Sequence, residues 1–147
     1  MSRLGTVPGR TLEDLLTAAP GALEADSEMR RQLTAGLAPR LYSLIAVAVA
    51  GMLGFERFID DLRGPLESSF ASQVGKDWRQ LSLSDVEKAI LSYTEKGTVD
   101  EASVRRRDVE ALRAAGVTDK EILLVATAIA YHNYSIRMAA AFDVTPS

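Results

Sequence analysis

The segment LYSLIAVAVAGMLGF, residues 41–55, constrains this chain more than any other. It carries no charge and ends sharply at Glu56-Arg57. A bilayer span needs roughly 20 consecutive apolar residues. This run has 15, Tyr42 and Ser43 among them, and its alanines and two glycines dilute its hydrophobicity. It predicts a helix buried on nearly all sides inside a globular domain or at a subunit contact, not a membrane segment.

A chain of 147 residues can bury such a helix in one domain without disulfides or metal. We expect a single domain over residues 1–147, with residues 1–10 as a flexible arm. A net charge of −3 argues against nucleic acid or an anionic membrane as partner. The basic cluster Arg105-Arg106-Arg107 is flanked by Asp100, Glu101, Asp108 and Glu110, and reads as a solvated helix start. There is no cysteine, which removes disulfides, thiolate metal sites and thiol nucleophiles together. A single histidine argues against a zinc site. No cofactor and no metal are expected. The opening MSRLGTVPGRTLEDLL has no apolar signal core, so a cytoplasmic protein is expected.

Strand signals are scarce, while helix punctuation is abundant. Thr11 caps a short helix carrying Leu12, Leu15 and Leu16, with Asp14 in its first turn. Pro20 opens a second helix to about 34, and Gly36 ends it. Pro39 opens the apolar helix, predicted to run on through ERFIDDLR to the Gly64-Pro65 break. A helix over about 65–74 then turns at Gly75. Ser84 and Glu87 form a capping box for a helix that stops at Gly97. Val109 and Leu112 mark the next helix, and Thr118 with Glu121 caps the last, about 119–142. The last helix is apolar over most of its circumference through Tyr131, so it belongs at the centre or at an interface. The reading is all-α, with about seven helices and no second domain. Alanines at 46, 48 and 50 and at 126, 128 and 130 allow two helices to approach closely.

The second half also carries a pattern: Asp77-Trp78-Arg79, Leu81-Ser82, Tyr93-Thr94-Glu95-Lys96, Asp108 to Arg113, Ala115-Gly116, and Asn133 with Arg137. It resembles the peroxidase-related branch of the alkylhydroperoxidase D (AhpD) / carboxymuconolactone decarboxylase superfamily. The resemblance covers residues 35–145 and is strongest from Asp77 onward. It implies the AhpD-like all-α fold and a homo-oligomer, which the apolar last helix also suggests. The family's redox motif, E-x11-C-x-x-C-x-x-x-H, falls on the apolar helix and the segment after it. Aligning its arginine-containing lead-in with Pro39-Arg40-Leu41-Tyr42 puts the glutamate at Ser43, the cysteines at Phe55 and Phe58, and the histidine at Leu62. All four positions have changed. The peroxidase needs an attacking thiolate, a resolving thiol and a carboxylate–histidine relay, and phenylalanine supplies none of these. The expected consequence is a site plugged by two rings, each worth about 1.5–3 kcal/mol if fully enclosed.

Few other residues offer chemistry. His132, in AYHNYSIR, could act as a general base oriented by Tyr131 or Tyr134; the plainer reading is a surface or interface histidine. Tyr42 and Ser43 lie in the former site, where a serine nucleophile would need His132 within reach; the plainer reading is packing. Asn133 and Arg137 share a helix face, with a salt bridge or capping contact expected for Arg137. Glu56, Asp60 and Asp61 are expected on a solvated face, neutralised by Arg57 and Arg63. Trp78 is expected as a core or interface anchor. Two functions remain open. One is a pseudoenzyme, either a structural or interaction protein or a binder of a small apolar or acidic ligand, without thiol peroxidase activity. The other is a cofactor-free, non-redox enzyme, such as a decarboxylase of a lactone acid, working through His132 and Tyr42.

Overall fold

The structure is a computed structural model that describes Arg3 and residues 9–146. The arm expected over residues 1–10 lies largely outside the described residues. Among the described residues eight α-helices follow one another: α1 (Leu12–Leu16), α2 (Pro20–Gly36), α3 (Pro39–Met52), α4 (Ile59–Leu62), α5 (Ser68–Asp77), α6 (Asp85–Val99), α7 (Arg106–Ala114) and α8 (Asp119–Phe142). Among the described residues the only β-type pairing is an isolated bridge between Thr11 and Thr145. No described helix is long and apolar enough to cross a membrane.

The apolar run is the core helix α3. Every residue from Ser43 to Ala50 is buried. Helices α5, α6 and α8 pack around it, and α2 packs mainly on α8 and touches α3 as well. Arg40, in the first turn of α3, ties three elements together. Its Nε donates to Glu87 at the start of α6 at 2.7 Å, and its guanidinium lies 5.0 Å from the centre of the Phe70 ring on α5. The capping boxes at Thr11, Ser84 and Thr118 all form, because each needs only a hydroxyl and a carboxyl three residues apart.

Three boundaries differ from expectation. Helix α3 does not run on through ERFIDDLR. It ends at Met52, Gly54 turns the chain at φ +81°, and a 3₁₀ turn over Glu56–Phe58 leads into α4. This extra break makes eight helices rather than about seven. Gly75 is not a turn: α5 starts at Ser68, capped by Glu67, and passes through Gly75 to Asp77. Glycine suits that position because a Cβ there would strike the Ile59 side chain. Helix α6 likewise passes Gly97 and ends at Val99.

Candidate functional site

A cavity of about 280 Å³ opens between α2, α3, α4 and α8. Helix α3 contributes Pro39, Tyr42, Ser43 and Ala46, and α8 contributes Tyr131, His132 and Ser135. The last three of the α3 set and the three from α8 share the spacing i, i+1, i+4, which brings side chains to one helix face. Arg30 and Thr34 of α2, Asp61 and Leu62 of α4, Gly64 and Pro146 complete the wall. Thr34, Pro39 and Asp61 are exposed and mark the mouth. Pro146 is held there by a join between the two ends of the described chain: the Thr145 N–H donates to Arg10 O at 2.9 Å, and the Leu12 N–H to Thr145 O at 2.8 Å.

Gly64 is a consequence of this packing. Its φ is +47°, and a Cβ there would lie 2.5 Å from Ser43 Oγ. Both facts demand glycine, so the loop after α4 folds directly over Ser43.

His132 is buried within the chain, 1 % exposed, rather than at a surface or interface as its plainer reading had it. Its i−4 and i+4 neighbours on α8, Ala128 and Ile136, are buried too, so it sits on the inward face. Its ring meets the Tyr42 ring edge-on at 4.6 Å between centroids and the Tyr131 ring at 5.6 Å. Neither Nδ1 nor Nε2 has a hydrogen-bond partner among the described residues. Burial pushes its pKa down to about 4, opposed only in part by the Tyr42 backbone, so the imidazole is neutral at physiological pH. Burial also raises the pKa of Tyr42 and Tyr131, leaving both hydroxyls protonated.

Arg30 is the cation on the wall. Its Nη2 pairs with Asp26 at 3.2 Å and with Glu13 at 3.6 Å. Burial works against its charge, but Tyr131, Asp26 and Glu13 together hold its pKa above the ordinary arginine value. Asp26 is itself buried, and its Oδ1 has no hydrogen-bond partner among the described residues. Sequence reading passed over this pair, although the Asp26…Arg30 spacing of four was a usable signal.

The four aligned redox positions separate. Ser43 and Leu62 line the cavity, while Phe55 and Phe58 do not. Phe58 is buried in the core and Phe55 is half-buried, with ring centroids 6.0 Å apart and Arg57 stacked over both. The expected plug is therefore not seen: the rings pack against the core and line no part of this cavity. Arg57 meets aromatic faces, and among the described residues it is Arg63 that pairs with the acidic turn, bonding Asp60 at 2.9 Å. Among the described residues no hydrogen bond joins Ser43 to His132, and no cluster of three or more acidic or histidine side chains is placed to hold a metal ion. Among the described residues Arg137 finds neither salt bridge nor cap; it donates to Asn133 Oδ1 at 3.4 Å, while Asn133 donates to Thr98 and Ile129. Trp78 is buried in the core.

No family model and no curated protein matches the sequence. Solved structures do match. An uncharacterized peroxidase-related protein from Ralstonia eutropha JMP134, described as an AhpD core, superposes with a TM-score of 0.74 at 22% identity over 90% of this chain and 74% of its own. The chain has the AhpD-like fold. An uncharacterized peroxidase-related protein from Silicibacter sp. TM1040 gives 0.73 at 19% identity over 92% of this chain and 75% of that one. A protein of unknown function from Agrobacterium tumefaciens, proposed to be an antioxidant-defence AhpD, gives 0.73 at 22% over 97% and 96%. On this AhpD-like fold, a chain without cysteine has no thiol with which to reduce a peroxide.

Proposed function

We propose that this protein binds a small molecule in the cavity that its AhpD-like fold retains, and that it has no thiol peroxidase activity. The observation that carries this reading is the separation of the four aligned positions. Phe55 and Phe58, which the resemblance aligns with the thiols, pack against the core, while Ser43 and Leu62 line an unfilled space of about 280 Å³. Drug-sized ligand pockets begin at about 300 Å³ and are mostly apolar with a few convergent polar groups, which is the character of this wall.

The cofactor-free enzyme reading has less support. A general base works best with a pKa near the operating pH. His132 is held down to about 4 and the tyrosine hydroxyls are pushed up, which makes a weak base beside weak acids. A homo-oligomer belongs to the proposal as well. Leu123 on α8 and Val99 at the end of α6, 67% and 63% exposed, supply apolar contact points for it.

Ligand-detected NMR against a library of single-ring compounds tests the binding role, with a dithiol-coupled peroxide assay run in parallel. We expect several binders, displaced from the Ala46→Leu variant whose added side chain fills the cavity, and no peroxide turnover above the protein-free blank. Absence of any binder, or clear turnover, contradicts the proposal.

A further inference from the structure

We infer that the cavity takes a neutral ligand about the size of one substituted ring, whose hydroxyl or carbonyl group pairs with His132, and that it turns carboxylates away. This rests on the binding role proposed above.

Size comes first. An apolar protein cavity of about 150 Å³ accommodates benzene. At about 280 Å³ this one has room for a ring and its substituents. Pro39, Ala46, Leu62 and the Tyr42 ring give it apolar walls.

The polar requirement comes from His132. Buried polar groups nearly always have a hydrogen-bond partner. Among the described residues neither ring nitrogen has a partner at full hydrogen-bond geometry, the Tyr42 backbone offering only a partial one, yet the residue is part of the cavity wall. Both nitrogens are sealed by the wall in the free protein, so we assign that partner to a ligand's polar group, which reaches the imidazole as the cavity fills. A neutral imidazole presents one donor and one acceptor, so it suits a hydroxyl or a carbonyl.

Charge decides against acids. A carboxylate ligand would look to Arg30, but that guanidinium already serves Asp26 and Glu13, two carboxylates for one cation. Asp61 adds a further negative charge at the mouth, and the nearby Arg63 is taken by Asp60 and by the Leu66 carbonyl. The wall itself carries Arg30 and Asp61, but the ion-paired groups around it, Glu13, Asp26 and Asp60 with Arg63, bring the total to four carboxylates against two guanidiniums, and like charges brought together in a partly desolvated site are strongly disfavoured.

The chain has one histidine, so its imidazole nitrogen resonances are unambiguous in ¹⁵N-labelled protein. Phenol, toluene, benzamide and benzoate are titrated near neutral pH. We expect phenol and benzamide to move the imidazole resonances by a hydrogen-bond shift, larger than the ring-current change given by toluene. Benzoate should bind about tenfold more weakly than its neutral isostere benzamide, or worse. Asp61→Asn, at an exposed position, should narrow that gap. Benzoate binding as tightly as benzamide, phenol and toluene shifting the imidazole alike, or a gap unmoved by Asp61→Asn overturns the inference and leaves the binding role standing. Failure of all four probes to bind overturns both.

Discussion

Gly51 on α3 meets Gly75 on α5 so closely that a Cβ on Gly51 would lie 2.6 Å from the Gly75 carbonyl carbon. The obstacle is backbone, which cannot swing aside. In an open helix, glycine to alanine gains up to about 1 kcal/mol; here overpacking reverses the sign. We predict that Gly51→Ala costs about 1–3 kcal/mol, read as a lower urea midpoint with unchanged slope. An unchanged midpoint contradicts the close approach. A second residue-scale prediction concerns His132. Its folded pKa, about 4, lies below the ordinary 6.5 of the unfolded chain. Between those values the unfolded state binds more protons, so stability is complete above about pH 6.5 and is lost as the pH falls toward about 4. The limiting slope is about 1.4 kcal/mol per pH unit. His132→Phe removes this component, so between about pH 6.5 and 5 the wild type should lose stability more steeply than the variant. Parallel curves in urea titrations contradict the burial of a neutral imidazole. That burial was readable only indirectly. Taken alone, a late-helix histidine looks like surface, but Ala128 and Ile136 four residues to either side fix its face.

At the scale of elements, local chemistry was legible and tertiary chemistry was not. The caps at Thr11, Ser84 and Thr118 were evident because their partners lie three residues away. Pro20 and Pro39 marked helix starts for the same reason. Gly75 and Gly97 resembled stops, yet both lie inside helices, because what glycine achieves there depends on neighbours the local sequence does not contain. The break after Met52 is of the same kind. Of the site, Tyr42, Ser43, Leu62 and His132 could be named in advance, but not that the two phenylalanines would turn into the core. Ser84 also joins two elements. Its Oγ accepts from the Glu87 N–H at 3.1 Å, and the Glu87 carboxylate accepts from Arg40 of α3. Ser84→Ala should cost about 1 kcal/mol in thermal or urea unfolding. Glu87→Ala should cost more, because it removes the cap's reciprocal bond and the tie to α3 together; equal effects would show that the tie contributes nothing.

For the molecule as a whole, one apolar helix organises both stability and site. Helix α3 buries its middle against α5, α6 and α8, and its first turns form one wall of the cavity. The segment thus shapes a chamber as well as the core, closed on its far side by α8 and by a chain end pinned near Arg10. A crystal structure of the protein soaked with phenol tests this most directly. Phenol should lie between Tyr42, Leu62 and His132, its hydroxyl within hydrogen-bonding distance of the imidazole, with Phe55 and Phe58 packed outside. Either phenylalanine ring occupying that space, with no phenol bound there, contradicts the retained chamber.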